Sequence, residues 1–286
     1  MKLPENPQGL LRDVDEAEYH AHPGSLSVSG AKTLLKAPAL FKWQRDHPVH
    51  KDVFDIGSAA HALVLGVGAE IVEVRVEVET KRGGEKRTII ADSWAFKAAD
   101  DAREKARAEG KVALLPADYE RVRAMADALS PHRLAMRLLS DGEAEVSAFA
   151  LDAETGVLRR GRFDWLAPKV VVDYKSAASA HPDVFVKAAV NFGYHQQAAW
   201  YLDLAADLDH PAQGFGFVVQ EKEPPYLTTV IELPDDLVHV GRQLNRVALQ
   251  RYRDCTDSGI WPGYVDDQTI ARPLAPRWAL NQEIPA

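Results

Sequence analysis

The chain has 286 residues, of which 46% are hydrophobic and 8% aromatic, and a formal net charge of −8; that is enough apolar material for one large core or two modest ones. Its single cysteine, Cys255, excludes a disulfide framework and a four-cysteine zinc or iron–sulfur site within one chain. The first residues hold no apolar run that would serve as a signal peptide, no stretch reaches membrane-spanning length, and the acidic balance excludes a general nucleic-acid coat, so a cytoplasmic protein is expected.

Residues 1–25 are rich in Pro, His and acidic side chains without periodicity, which predicts an extended arm. Ser27-Val28-Ser29-Gly30 opens an amphipathic helix with Leu34, Leu35, Ala39 and Leu40 on its apolar side, kinked or ended by Pro38. A second helix is expected over 55–66, where Gly57, Ala59 and Ala60 permit close packing and Gly66 offers a stop. Residues 71–90 read as a β-hairpin across Gly83-Gly84, whose Lys81, Arg82, Lys86 and Arg87 are candidates for touching phosphate. Helices follow at about 91–109 and 116–140, with Arg103, Lys105 and Arg107 read as a solvated face.

The second half alternates in type. Strands are expected over 145–151, 157–166 and 170–175, with a turn at 152–156, then helices over 182–190 and 193–207. A strand pair at 215–220 and 227–233 precedes a helix over 235–256, and the proline-bearing chain after Trp261 reads as irregular. The pattern predicts an α/β fold, a mixed central β-sheet flanked by helices. No repeat or low-complexity linker divides it, so the expected organisation is an N-terminal arm (1–25), one domain (26–264) and a C-terminal tail (265–286).

Chemistry concentrates between Gly161 and Ser176. Strand alternation sends Asp173 and Lys175 to the same face of the apolar run Val170-Val171-Val172, and Asp164 stands in a similar run between Phe163 and Trp165. An isolated Asp-x-Lys triplet is usually a surface ion pair. Buried in a three-valine strand, the same residues cost several kcal/mol unless a metal or partner compensates. Two carboxylates can bind Mg²⁺ while an ammonium holds a water beside it, which is the chemistry of phosphodiester cleavage. His61 lies on a helix otherwise made of Ala, Leu, Val and Gly. Glu145 leads into the acid-bearing strands, with Glu143 equally placed in the sequence. Tyr194, Gln197 and Tyr201 fall at i, i+3 and i+7 of one helix, with Asn191, His195 and Gln196 crowding the same region.

Taken in order, Leu26-Ser27-Val28-Ser29-Gly30-Ala31 with Ala37-Pro38-Ala39, Gly57 to Gly66 around His61, Gly161-Arg162-Phe163-Asp164-Trp165, Asp173-Tyr174-Lys175 and Tyr194 to Tyr201 form a recognisable series. Over most of its length the chain resembles the RecE-like exonucleases (exodeoxyribonuclease VIII) of phages and prophages, within the PD-(D/E)xK nuclease superfamily. The resemblance implies a restriction-endonuclease-like core with an N-terminal helical elaboration. It also implies a Mg²⁺-dependent exodeoxyribonuclease, with Mn²⁺ as a substitute, that digests linear double-stranded DNA from 5′ to 3′ and leaves 3′ single strands for recombination. By position, His61, Asp164, Asp173 and the main-chain carbonyl of Tyr174 are implied at the metal, and Lys175 at the attacking water. Gln197 and Tyr201 are implied as the supporting Gln-x-x-x-Tyr element, and Glu145 as a further site acid. Implied partners are double-stranded DNA ends, copies of the same chain in a ring, and an annealing or recombinase protein. Two alternatives stay open: a related nuclease of different polarity or strand preference, and a catalytically silent DNA-binding or scaffold module of the same fold.

Overall fold

The computed structural model describes residues 3–47, 56–82, 85–265 and 268–276. The Gly83-Gly84 turn, Asp55 at the expected helix start, the side chains of Lys81 and Arg82, and residues 277–286 of the tail lie outside that description. Strand β1 (Gly9–Leu11), helix α1 (Glu16–Ala21) and strand β2 (Ser25–Ser27) occupy the segment expected to be an extended arm. Short polar sequences of this kind carry little periodicity, and their structure comes from pairing with a sheet formed elsewhere. α2 (Val28–Lys36) starts where the Ser27 hydroxyl accepts the Gly30 N–H at 3.2 Å. The break expected at Pro38 then divides the segment into two helices. Ala37 is extended, as the residue before a proline prefers, and Pro38 becomes the first residue of α3 (Pro38–Asp46). Leu34 and Phe41 are buried, whereas Ala39, assigned to the apolar side, faces solvent.

α4 (Ile56–Leu65) ends at Gly66, which adopts a left-handed φ of 67°. The expected 71–90 hairpin is smaller than predicted: β4 (Glu77–Arg82) pairs with β5 (Glu85–Ile90), while β3 (Ile71–Glu73) runs parallel to β6 (Val112–Leu114). Between them α5 (Lys97–Ala108) begins later than expected; its Arg107 is exposed and pairs with Glu104, whereas Arg103, expected on the same solvated face, pairs with Asp100 but is half-buried over the Trp94 ring. The helix expected over 116–140 is divided into α6 (Pro116–Leu129) and α7 (Arg133–Leu138), because Pro131 cannot continue it.

The central elements follow the sequence reading closely: β7 (Glu143–Leu151), β8 (Leu158–Leu166), β9 (Val170–Ala177), α8 (Pro182–Phe192), α9 (Tyr194–Asp207), β10 (Gly214–Glu221), β11 (Thr228–Glu232) and α10 (Asp235–Ser258). The sheet order is β1-β7-β8-β9-β10-β11, with β2 also paired to β8. β9 and β10 are parallel, β2 and β8 are parallel, and the other neighbours are antiparallel. Helices cover both faces. Val171, Phe215, Phe217 and Val219 pack with α2, α9 and α10, and Val172, Tyr174 and Val218 with α4 and α6. This is the mixed sheet between helical layers that the sequence predicts. Among the described residues no helix is long and apolar enough to cross a membrane.

One edge of β8 is shared. β2 takes its first residues (Leu158 to Arg160) and β9 takes Trp165 and Leu166, leaving the stretch between them unpaired on that side. α9 fills the break. Trp200 Nε1 donates to the Arg160 carbonyl at 3.0 Å, and the Tyr201 ring lies against Gly161, where an added Cβ would come within 3.0 Å of it.

Candidate active site

The break in the sheet is where the acids stand. In the β8–β9 ladder, Leu166 pairs with Val171 and Trp165 with Val172; the next rung would set Asp164 against Asp173, and there the pairing ends. In the β7–β8 ladder, Ala144 pairs with Trp165 and Val146 with Phe163, and the rung between them, Glu145 against Asp164, is missing. Three carboxylates therefore occupy one row across three strands. Like charges directly opposite each other destabilise a sheet, and both ladders part at this row. Glu145 adopts a left-handed φ of 53°, a costly conformation for a residue with a side chain.

The released groups are taken up by side chains. The Tyr174 amide donates to Asp164 Oδ2 at 3.2 Å instead of to a strand carbonyl. His61, reaching over from α4, brings Nε2 to 3.0 Å from the same oxygen and Nδ1 to 3.8 Å from Glu145 Oε1. Gln197 Nε2 on α9 donates to Asp173 Oδ1 at 2.7 Å, and Lys175 Nζ lies 2.6 Å from Asp173 Oδ2. Tyr201 sits below, edge-on to Phe163 and in hydrogen-bond contact with Gln197. Tyr194 places its ring 5.2 Å from Lys175 Nζ. Tyr174 contributes its amide, while its phenol is buried and donates to Gln220 Oε1.

Of the two glutamates, Glu145 turns toward Asp164, whereas Glu143 pairs with Arg12 at the surface. Three residues expected to thicken the cluster do not. His195 Nδ1 bonds the Ala189 carbonyl, Gln196 pairs with Asn245 on α10, and Asn191 is exposed. Adjacent positions on a helix point 100° apart, so on α9 the i, i+3, i+7 set faces the acids while His195 and Gln196 are buried against α8 and α10, and Asn191 belongs to α8.

Electrostatically the cluster is strained. Asp173 is fully buried, and that burial, followed by the charge of Asp164, pushes its carboxyl up to about 7. For Asp164 burial acts upward too, but the His61 bond and the charge of Lys175 outweigh it and hold the carboxyl below its ordinary value. Burial raises Glu145 as well, with Asp164 adding to it. His61 and Lys175 are both lifted: burial disfavours their charged forms, and the neighbouring carboxylates more than restore them. Such opposed shifts in one small cluster are a mark of functional sites.

The donor set suits a divalent cation. His61, Glu145 and Asp164 each offer a ligand atom, all within 4.8 Å of one another. Asp173 Oδ2 is buried and, despite the nearby ammonium, receives no well-directed hydrogen bond. Asp173 is not one of those three, and its Oδ2 faces the Lys175 ammonium; the imidazole and two carboxylates of the triad are a donor set that a divalent cation would accept.

The profile of the family described as “PDDEXK-like domain of unknown function (DUF3799)” matches residues 27–272. The chain belongs to this PDDEXK-like family. In fold it is also similar to the crystal structure of the “Putative exonuclease” of Eubacterium rectale, with a TM-score of 0.57 at 13% identity, covering 96% of this chain and 100% of that one. No curated protein sequence matches it. The mixed sheet flanked by helices is thus a PDDEXK-like nuclease fold, and every residue of the acidic row lies inside the matched span.

Two side chains around the row escaped the sequence reading. Arg162 enters the sequence reading only as a member of the Gly161-to-Trp165 motif, with no role of its own. Its Nη1 lies 3.8 Å from Glu145 Oε2, its Nη2 donates to the Val14 carbonyl, and its guanidinium covers the Tyr19 ring at 4.4 Å. Strand alternation already put Arg162 and Asp164 on one face, which was the available signal. Lys32 on α2 is the other, and no local signal marked it.

Proposed function

We propose that this chain is a Mg²⁺-dependent exodeoxyribonuclease acting on ends of linear double-stranded DNA, of the RecE-like kind, cutting 5′ to 3′ and leaving 3′ single strands for a recombinase or annealing protein. The observation that carries the reading is the row Glu145–Asp164–Asp173 in a broken sheet, with Lys175 2.6 Å from Asp173. Asp164, Asp173, Glu145 and His61, with the Tyr174 carbonyl, would hold Mg²⁺, or Mn²⁺ in its place. A cation there supplies Lewis acidity and a bound water of lowered pKa.

The chain's own residues do the rest. Gln197 fixes one oxygen of Asp173, so the other is aimed at the site. His61 restrains Asp164, and the Tyr174 amide holds the same oxygen. Lys175, kept protonated by the carboxylates around it, orients the attacking water and offsets charge accumulating on the phosphate oxygens. Its ammonium cannot serve as a base in that state. The complete acid–lysine set favours a working enzyme over a silent module. A homo-oligomeric ring enclosing duplex is part of the proposal, since identical subunits with heterologous contacts close into rings.

The test is a linear duplex labelled at one 5′ or one 3′ end beside a closed circle, with Mg²⁺ and then with EDTA. Mononucleotide release from the 5′-labelled strand of linear DNA alone, abolished by EDTA, is the expected result. Internal fragments from the circle, or no product with any divalent ion, would overturn it. Light scattering on the purified protein reads the oligomer directly.

A further inference from the structure

The corner between α8 and α9 plays no part in the acidic row, yet it stands beside it. Phe192, the last residue of α8, is 63% exposed. Its ring centroid lies 5.8 Å from that of Tyr194 at 35°, and Tyr194 in turn stands 5.2 Å from Lys175 Nζ. Phe192 is therefore the solvent end of an aromatic line that begins at the lysine of the site. Lys32 converges on the same corner from α2. Its Nζ donates to the Phe192 carbonyl at 3.0 Å, and its stem crosses Gly193, where an added Cβ would lie 2.6 Å from Lys32 Cδ. Gly193 has φ 68°, so this crossing is built around a position that favours glycine twice over.

Lys32 is half-buried, and its hydrogen bond goes to the neutral Phe192 carbonyl. Burial, followed by the charge of Lys175, brings its pKa down to about 8. Asp173 pulls the other way but does not offset burial and the Lys175 charge, so a part-buried ammonium whose hydrogen bond goes to a neutral carbonyl would gain from a further anion.

We propose that this corner is a nucleotide subsite: Lys32 takes the phosphate next to the one being cut, and Phe192 stacks on the base attached to it, holding that nucleotide out of the duplex. This rests on the nuclease reading and adds to it that the strand being cut is unpaired where it passes α8. Stacking on an aromatic ring tolerates every base, as a non-specific exonuclease requires.

The test compares linear duplexes with a paired or a mismatched terminal nucleotide, reading KM and kcat, with Kd by anisotropy in Ca²⁺. Wild-type protein should show a lower KM on the mismatched end. Phe192→Ala should raise KM and Kd roughly tenfold with kcat within about twofold and lose the preference, and Phe192→Trp should restore both. Lys32→Ala should weaken binding and reduce the slope of log affinity against log salt by about 1, with Lys32→Arg restoring it. Wild-type KM, Kd and salt slope in both alanine variants would overturn the subsite while leaving the nuclease reading intact. A wild-type protein that cuts neither duplex removes the nuclease reading, and the subsite with it.

Discussion

Glu145 shows at the scale of one residue how the site is held against its own electrostatics. Its left-handed backbone and its carboxylate, crowded by Asp164, both cost stability, and Arg162 and His61 offset only part. Glu145→Gly should raise stability by about 1 kcal/mol, read by denaturant unfolding, while lowering cleavage. Asp173→Ala and Lys175→Ala should each fold and lose about 10³-fold or more in kcat. Asp173 also sets a pH signature in metal-free protein. Its folded carboxyl titrates near 7, whereas the unfolded group titrates near 3.8, so the stability of the fold falls as pH rises between those values. His61, raised above 6.5, adds a loss of the same sign at the upper end. Thermal unfolding in EDTA should show Tm declining from pH 5 to 7, and Asp173→Asn should flatten that decline.

At the scale of elements, α9 is the piece on which the site depends. It fills the break in β8, carries Gln197 to Asp173, and buries Trp200 completely. Its position is set from behind by α10, which approaches so closely at Gly241 that an added Cβ would collide with the His195 carbonyl. Backbone cannot yield as a flexible side chain can. Gly241→Ala should therefore cost about 1–3 kcal/mol, and activity should fall further than stability because Gln197 moves with its helix. A circular-dichroism melt beside a cleavage assay at a temperature where the variant is folded separates the two effects. Tyr201 against Gly161 is the corresponding contact on the sheet side, so α9 is gripped from both directions.

For the molecule as a whole, the proposed metal site would couple cation binding to folding. Three carboxylates confined in one row repel, and a cation bound only by the folded state relieves that repulsion. At 100 times its Kd such a cation adds about 2.7 kcal/mol. Differential scanning calorimetry should show Tm rising with Mg²⁺ or Mn²⁺ in wild-type protein and unmoved in Asp173→Ala/Asp164→Ala. A rise of equal size in the double variant would put the cation elsewhere. The net charge of −8 works the other way for the proposed substrate, because duplex DNA would be repelled by the surface at large. Productive binding then has to be concentrated where cations face the site.

The central strands, the helices around them, the α/β class and the Asp-x-Lys strand were legible in the sequence because period and burial are local properties. Three consecutive valines followed by a charged pair carry their message within six residues. The Gln197–Tyr201 face was legible for the same reason, being one helical repeat. What the sequence could not contain is the broken rung. Whether Glu143 or Glu145 joins Asp164 depends on which residue falls opposite it in the β7–β8 ladder, a register set along the whole hairpin. Whether His195 and Gln196 enter the site depends on where α10 lies. The β3–β6 pairing and the strand-forming N-terminal segment were also settled by partners distant in sequence. Lys32 and Phe192 are the extreme case, ordinary residues 160 positions apart that acquire meaning only because α2 crosses the turn between α8 and α9. Composition and spacing thus determined which groups were available, and long-range packing alone decided which of them share one volume of low dielectric, where their charges must answer one another.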